Sequence, residues 1–263
     1  MEWEATARLS VFLGGFVLLA LAEAARPKRP RALSRTSRWT SNLALVVLDT
    51  ALVRILFPLA AVGAALDATA QGWGLFNWLG WPLWLSVALT FVILDFAIWV
   101  QHVVFHKVPL FWRFHMVHHA DRDMDVTTGL RFHPVEIAAS MLIKIALVYA
   151  LGAPALGVII FEIVLNATAM WSHSNLRVPM AAERVIRWFI VTPDMHRSHH
   201  SVDRREHDTN FGFCLSIWDR LSGLYTQTPN GGHQGVEIGL PPWRDSRPAR
   251  LFWSLALPFR RGS

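Results

Sequence analysis

Cysteine is almost absent from this chain of 263 residues, since Cys214 is the only one. A single cysteine excludes an intrachain disulfide and a cysteine-based zinc module. The sequence also lacks an internal repeat, a low-complexity segment, a G-x-G-x-x-G fingerprint and a Walker phosphate loop. It begins Met1-Glu2-Trp3-Glu4, without the basic region of a signal peptide. These absences argue against disulfide-rich, nucleotide-binding and repeat architectures.

Apolar residues are abundant. Hydrophobic side chains make up 53% of the chain and the mean hydropathy is +0.32, both high for a soluble protein. The 13 tryptophans are typical of a chain that is anchored at lipid–water interfaces. Four apolar segments are predicted to enter a membrane: residues 5–22, 43–66, 83–100 and 136–168. Arg8 is expected to snorkel to the interface, and Asp49 is expected to pair with Arg54 inside the bundle.

The formal net charge is +6, and much of it follows the first apolar segment. That acid-free stretch holds Arg26, Lys28, Arg29, Arg31, Arg35 and Arg38. The positive-inside rule predicts that this loop is cytoplasmic and that the N-terminus lies outside. We therefore attribute the basicity to topology and anionic lipids, not to nucleic acid. The basic residues are nearly all arginine, which is typical of GC-rich bacteria and favours a bacterial inner membrane.

Histidine is concentrated in one part of the chain. Ten of the 12 histidines lie between His102 and His200, most of them in three clusters. The clusters are His102–His106 as HxxxH, His115–His118–His119 as HxxHH, and His196–His199–His200 as a second HxxHH. Positions i, i+3 and i+4 share a helical face, and neutral imidazole suits iron, zinc, copper or nickel. Eight such ligands are too many for one ion and predict two metals held close together.

The second and third clusters can meet only if the apolar segment between them returns to the same side of the membrane. The break at Gly152-Ala153-Pro154 predicts a helical hairpin that turns there. His173 closes this hairpin and is predicted to be a ninth metal ligand. His133 is either a ligand or a hydrogen-bonded residue that fixes a helix start, and we favour the second interpretation.

Other polar residues near the clusters are assigned to supporting roles or to solvent. Asp95 precedes His102 by seven residues, which places it on about the same helical face and predicts a carboxylate behind the ligands. Asp121, Asp123 and Asp125 are either metal ligands or a solvated acidic loop, and we favour the loop. His207 and His233 are expected to be solvated.

The three histidine clusters resemble the histidine boxes of the fatty acid hydroxylase/sterol desaturase superfamily. Further resemblances are His133-Pro134-Val135-Glu136, His173-Ser174-Asn175, Asn210-Phe211-Gly212 and Trp218-Asp219-Arg220-Leu221 before Tyr225. The likeness runs from about Asp95 to Tyr225, and Ser222-Gly223-Leu224 departs from the Phe-Gly-Thr found in many relatives.

The resemblance implies an all-α integral membrane helical bundle with a cytoplasmic histidine-rich helical cap that holds a dimetal site. It implies a single membrane domain, 1–263, with mainly transmembrane helices in 1–100, a catalytic region in 95–225 and a tail in 226–263. The implied activity is that of a di-iron oxygenase, which hydroxylates or desaturates a lipid C–H bond with O2 and two iron ions. Zinc is expected to replace iron in some purified material. Electrons must come from a reductase, ferredoxin or cytochrome, because the sequence shows no flavin, haem or nicotinamide motif.

Two other classes remain open. A zinc or two-metal hydrolase could cleave a lipid ester or phosphoester, although such sites usually contain carboxylate ligands, which the three clusters lack. A metal scaffold or transporter would place its site at mid-membrane depth, whereas these clusters flank the apolar segments.

Overall fold

The computed structural model describes residues 2–260, and it contains no β-strand within them. The helices are α1 (Glu2–Ala25), α2 (Arg35–Leu56), α3 (Ala60–Gln71), α4 (Leu75–Leu79), α5 (Leu83–Lys107), α6 (Pro109–His119), α7 (Pro134–Leu151), α8 (Ala155–His173), α9 (Met180–Ile186), α10 (Pro193–His199), α11 (Arg204–His207), α12 (Ile217–Leu221), α13 (Gly232–Gly235) and α14 (Leu251–Ala256). The predicted all-α class is confirmed.

Five stretches of the described chain are long and apolar enough to cross a membrane. They are Thr6–Ala25, Arg35–Leu79, Leu83–Lys107, Pro134–Leu151 and Ala155–His173. The predicted hairpin is present as α7 and α8, which Gly152 separates in a left-handed conformation at φ +63°. An exposed shell of apolar side chains, such as Leu18 and Leu21, surrounds these helices as a lipid environment requires.

The second apolar segment is not one helix. α2 ends at Leu56, and α3 begins only at Ala60, after a connection that contains Pro58. Proline has no N–H to continue the helical ladder. The predicted Asp49–Arg54 pair is wrong: Asp49 is buried with one oxygen that has no hydrogen-bond partner in the described chain, whereas Arg54 is exposed.

Small side chains hold the membrane helices together. Ala61, Ala64 and Ala65 of α3 pack against Val148 of α7 and Val158 of α8 in a fully or almost fully buried cluster. Alanine lets helix backbones approach closely, which provides van der Waals contact where lipid removes the hydrophobic driving force. α8 occupies the centre, because it contacts α1, α3 and α5.

A buried ion-pair group also crosses the bundle. Glu162 of α8 accepts hydrogen bonds from Lys144 of α7, at 2.7 Å, and from Arg8 of α1. Arg8 thus has a carboxylate partner on α8 that the sequence did not predict. Charges at this depth are tolerated when they neutralise one another, and this group ties three helices together.

The three aspartates after the second histidine cluster do not form a solvated loop. Asp121, Asp123 and Asp125 are buried, and Arg38 of α2 donates to Asp121 at 2.7 Å and to Asp125 at 2.5 Å. Asp123 accepts two backbone N–H groups from the basic stretch, at 2.7 and 2.8 Å. Although burial alone would raise the pKa of Asp121, Arg38 holds it below its usual value. This network fixes the chain directly after the second cluster.

Candidate metal centre

The nine imidazoles selected from the sequence converge on two adjacent groups. The first group is His102, His106, His115, His119 and His199, and the second is His118, His173, His196 and His200. Within each group the ligand nitrogens lie within 4.8 Å of one another. All nine side chains are buried.

The spacing within each cluster decides which group an imidazole joins. The i, i+4 pairs stay together: His102 with His106, and His115 with His119, in the first group, and His196 with His200 in the second. The residue at i+3 in each HxxHH cluster points toward the other group, because it lies roughly 100° round the helix from its i+4 neighbour. His118 thus joins the second group and His199 the first. Each HxxHH cluster therefore contributes to both groups.

Local sequence fixes the helices that carry these clusters. Pro109 begins α6 directly after α5, so the second cluster is brought back beside the first, with the Nε2 atoms of His106 and His119 3.1 Å apart. α10 begins at Pro193, and the Thr192 hydroxyl accepts a hydrogen bond from the Met195 N–H as its N-cap. Such caps and an initial proline define where a short helix begins.

Hydrogen bonds determine which ring nitrogen is free in five of the nine imidazoles. The Nδ1 atoms of His102, His118, His173 and His199 lie 2.7–3.1 Å from the backbone oxygens of Phe211, Arg131, Ala169 and Thr209, in that order. The Nδ1 atom of His115 lies 2.7 Å from an oxygen of the Glu136 carboxyl. A carbonyl oxygen only accepts, so Nδ1 carries the proton in the four imidazoles that face carbonyls, and Nε2 is left with a lone pair; an ionised Glu136 carboxylate has the same effect on His115. This arrangement is usual for histidines that bind metal through Nε2.

The donor set of the second group fits a metal ion. The Nε2 atom of His173 lies 3.0 Å from the Nε2 atoms of both His118 and His196. Since His118 and His173 each commit their proton to a carbonyl, their facing lone pairs repel unless they share a cation. Nitrogens bound to one zinc-like ion at 2.0–2.1 Å lie roughly 3–4 Å apart, which matches the spacing here.

Burial keeps the imidazoles neutral. Burial lowers the pKa of His115 to about 3, and the pKa of His118 falls well below its usual value, first through burial and then through neighbouring imidazoles. The pKa values of His119, His196, His199 and His200 shift in the same direction for the same reasons. A neutral ring has the lone pair that a metal needs, and several buried rings side by side cannot all be protonated.

His207 was missed as a member of the centre. It is buried, and its ring centroid lies 4.4 Å from that of His119 and 4.6 Å from that of His106. Burial lowers its pKa to about 3, so the expectation of a solvated side chain is wrong. His207 and Asp208 form a third possible ligand group with His106. No periodic signal links His207 to the third cluster, because His207 lies on a separate helix, α11, which a loop connects to α10.

The remaining two histidines lie outside these groups. The Nδ1 atom of His133 accepts a hydrogen bond from the Val135 N–H at 3.2 Å and so caps α7. Its Nε2 atom lies 3.3 Å from the Leu255 carbonyl oxygen. His133 therefore braces a helix start, as favoured from the sequence. His233 is half-buried and belongs to none of the possible ligand groups found in the described chain.

Asp95 supports the centre through a loop and not through an imidazole. Its carboxyl accepts hydrogen bonds from the N–H groups of Cys214 and Leu215, at 3.3 and 3.2 Å, and from the Trp218 indole at 2.8 Å. These contacts secure the segment that follows Phe211, whose carbonyl accepts the proton of His102.

Asp219 was noted in the sequence only as part of a motif and was given no role, yet it holds the same segment directly. It accepts hydrogen bonds from the N–H groups of Phe211 and Gly212, both at 2.9 Å, and from the Trp99 indole. Asn210 precedes them at φ +55°, a left-handed conformation that asparagine tolerates better than most residues. The Asn210-Phe211-Gly212 motif is thus a turn that presents one carbonyl to His102.

Arg131 positions the second cluster in a similar way. Its backbone oxygen accepts the proton of His118, while its buried guanidinium donates to the Val117 carbonyl at 2.8 Å and to Asn42 of α2 at 2.7 Å. The side chain and the backbone of one residue therefore link α2, α6 and a metal-facing imidazole.

Comparison with known proteins agrees with this geometry. The family model described as fatty acid hydroxylase matches residues 87–224, which is more than half of the chain and contains all nine imidazoles. No solved structure matches the chain.

Three relatives show the range of similar proteins. Ornithine lipid hydroxylase OlsE of Rhizobium tropici is 29% identical over 95% of this chain and 75% of its own length. Alkylglycerol monooxygenase of Homo sapiens is 26% identical over 59% of this chain and 34% of its own length. Cholesterol 25-hydroxylase of Homo sapiens is 26% identical over 50% of this chain and 48% of its own length. The family match and the clustered histidines together establish that the chain belongs to the fatty acid hydroxylase family.

Proposed function

We propose that this chain is a membrane-bound di-iron oxygenase that uses O2 and external electrons to hydroxylate a C–H bond of a lipid, or to desaturate it. The observation that carries the proposal is the convergence of nine buried imidazoles into two adjacent groups, with His102, His106 and His173 contributed by the ends of two of the five candidate membrane helices. The relatives are named for hydroxylation or monooxygenation of lipids, and this supports the same reaction class.

The proposed ligand set follows the two groups. Five imidazoles would hold one iron ion and four, including His173, would hold the other. The bound metals would supply the O2 and redox chemistry. The chain's own residues keep the Nε2 lone pairs aimed inward, orient the rings through carbonyls and Glu136, and exclude water by complete burial. We propose that Asp95 and Asp219 act as positioning residues, since their contacts reach His102 only through the Phe211 segment.

We propose that the lipid reaches the metal centre from the bilayer. His102, His106 and His173 occupy the ends of α5 and α8, two of the candidate membrane helices. An acyl chain that lies along these helices would therefore approach the imidazoles from the apolar side. The relative that aligns with most of this chain is named for ornithine lipid, so we favour a polar membrane lipid as the substrate.

A zinc hydrolase is less compatible with the donor set. The two main groups contain imidazoles alone, whereas two-metal hydrolases usually include carboxylate ligands. The one nearby carboxylate in a possible ligand group, Asp208, is also paired with Lys107 at 2.8 Å.

Metal analysis combined with oxygen uptake tests the proposal. Gently purified protein is expected to hold two iron ions per chain and to consume O2 only with a reductant and a lipid extract present. A hydrolase would hold zinc and be indifferent to O2. Zinc in material from strong overexpression is also expected, because imidazole sites prefer zinc to Fe(II). One metal per chain after gentle purification would contradict the two-ion centre.

The substrate can be identified by lipid analysis of a strain that lacks the gene. Complementation with the wild-type chain should restore a lipid that is heavier by one oxygen, or lighter by two hydrogens if the reaction is desaturation. A chain carrying His196→Ala should not restore it.

We also propose that 1–263 acts as a single membrane domain in a bacterial inner membrane and receives electrons from a separate reductase, ferredoxin or cytochrome.

A further inference from the structure

Five arginines line a small cleft outside the metal centre. The cleft has a volume of about 110 Å³ and includes Arg29, Arg31, Arg122, Arg197 and Arg244 among its lining residues. We call it the arginine cleft. It is formed where the basic stretch after α1 meets the segment after α6, the third histidine cluster and the C-terminal region.

Several guanidinium nitrogens in the arginine cleft lack a hydrogen-bond partner among the described residues. Arg197 is 0% exposed, and its Nη1 atom donates to Asp194, but no group within residues 2–260 accepts from its Nε and Nη2 atoms. The Nη1 atom of Arg29 and the Nε atom of Arg122 are also buried without a partner in that part of the chain. Unpaired buried charged donors are costly, so their presence in one cleft indicates a ligand that accepts hydrogen bonds.

The carboxylates around the arginine cleft are already used. Asp123 accepts backbone N–H groups of Ala32 and Leu33, and Glu237 pairs with Arg244. Asp194 binds both Lys28 and Arg197. Burial lowers the pKa of Arg29, and the positive charge of Arg197 lowers it further. The cleft therefore keeps an excess of positive charge.

We propose that the arginine cleft binds a phosphate group, carried by a lipid headgroup or free in solution. Guanidinium groups bind the oxygens of a phosphate group through paired N–H donors. A small anion fits better than the surface of an acidic protein, because a flat surface could not reach the fully buried Arg197. The site is separate from the imidazole groups, since Arg197 leaves α10 roughly 100° round the helix from His196.

Thermal unfolding of the purified, metal-containing protein in an uncharged detergent tests the site. Inorganic phosphate, added at constant ionic strength, should raise the unfolding temperature of the wild type in a saturable way. Arg29→Gln and Arg122→Gln should each weaken phosphate binding about tenfold, because each removes a charged donor. Neither variant should change the metal content. Arg197 is left unchanged in this test, because it lies in the sequence between His196 and His199, two of the proposed metal ligands.

Arg184→Gln is the matched control, since Arg184 is exposed on α9 and outside the arginine cleft. It should bind phosphate like the wild type. Dodecyl phosphate distinguishes the two sources: tighter binding than inorganic phosphate, lost in Arg29→Gln, supports a lipid headgroup, whereas equal binding supports a free anion. The proposal is overturned if phosphate causes no saturable shift, or if Arg184→Gln weakens binding as much as the cleft variants do. An acidic partner protein would then be the better explanation for the surface.

Discussion

A buried imidazole whose Nδ1–H donates to a carbonyl keeps a lone pair on Nε2, which can accept a hydrogen bond or bind a metal. His173 illustrates this, because its Nδ1 atom faces the Ala169 carbonyl at 2.7 Å while its Nε2 atom meets two other Nε2 atoms at 3.0 Å. These three contacts assign the proton to Nδ1 and direct the Nε2 lone pair at the second group. The same argument assigns the free nitrogens of His102, His118 and His199.

His173→Ala is expected to reduce the metal content from two ions to one and to abolish turnover, since the second group would retain three ligands. The protein should still insert in the membrane, because α8 keeps its apolar contacts. Elemental analysis and oxygen uptake measure the two effects. His233→Ala should behave like wild type, as His233 belongs to neither group. Retention of both metals and near-normal activity in His173→Ala would remove His173 from the ligand set.

Glu136→Ala is expected to weaken metal binding in the first group by about 10- to 100-fold, the usual cost of removing the acceptor behind a ligand histidine. Glu136 is the acceptor for the Nδ1 proton of His115, at 2.7 Å. Competition with a chelator, followed by metal analysis, gives the relative affinity. The second group should keep its metal. Equal loss of both ions would show that Glu136 supports the fold and not one ligand.

Elements are held in place by contacts that cross long stretches of sequence. Arg38, in the first turn of α2, is buried against Asp121 and Asp125 just beyond the second histidine cluster. At the opposite ends of the helices, the loop before α4 touches the turn between α7 and α8. Both contacts set where α6 and α8 present their imidazoles.

Arg38→Ala is expected to destabilise the protein by about 3–5 kcal/mol, because it leaves buried carboxylates unpaired. Arg247→Ala removes a half-exposed ion pair with Asp245 and should cost no more than about 1 kcal/mol. Unfolding in detergent, followed by a denaturant or by heat, compares the two variants. If Arg38→Ala were as stable as Arg247→Ala, the network after the second cluster would not be a structural support.

Gly152→Ala is expected to destabilise the hairpin more than Gly72→Ala. The two glycines have similar positive φ angles, +63° and +69°, so alanine costs about 1–2 kcal/mol at either position. Only at Gly152 would the new Cβ collide with a neighbour, the Trp73 carbonyl at 2.4 Å, which adds about 1–3 kcal/mol of crowding. Thermal unfolding of both variants measures the difference. Equal losses would mean that the turn adapts to the extra atom.

The whole molecule is an integral membrane protein of a lipid-modifying family. Its imidazoles, its arginine cleft and its basic stretch lie together in the fold. If the positive-inside rule holds, all of them face the cytoplasm, while the connections near Gln71 and Gly152 face the opposite side.

Cysteine labelling in intact cells tests this orientation. The label is a thiol reagent that does not cross membranes. Arg205→Cys and Ser246→Cys should react with it only after the membrane is made permeable, whereas Gln71→Cys should react with it in intact cells. All three positions are exposed, and the native Cys214 is buried, so the unmodified chain serves as the low-labelling control. Labelling of Arg205→Cys from outside would show that the proposed topology is inverted.

The sequence alone was sufficient for the all-α class, the hairpin turn at Gly152, the capping role of His133 and the family. Each of these depends on local spacing, on one break in an apolar run or on a motif. Eight of the nine imidazoles that converge in the structure were also selected this way, because helical periodicity places the members of a cluster near one another, and His173 was selected because it closes the hairpin. The ligand roles themselves stay predictions until a metal is measured.

Only the tertiary structure decided how the imidazoles divide and what surrounds them. Spacing along α6 turns His118 away from His115 and His119, but its contacts with His173 of α8 and with His200 exist only in the assembled fold, and a pattern along one helix does not contain them. The same is true of Arg38, whose acidic partners lie more than 80 residues away in sequence, and of His207, which a loop folds back beside His106 and His119. A sequence pattern alone predicts that a charged residue is exposed to solvent. Its pairing with an opposite charge that is distant in sequence exists only after the helices have assembled, and this pairing is what permits its burial.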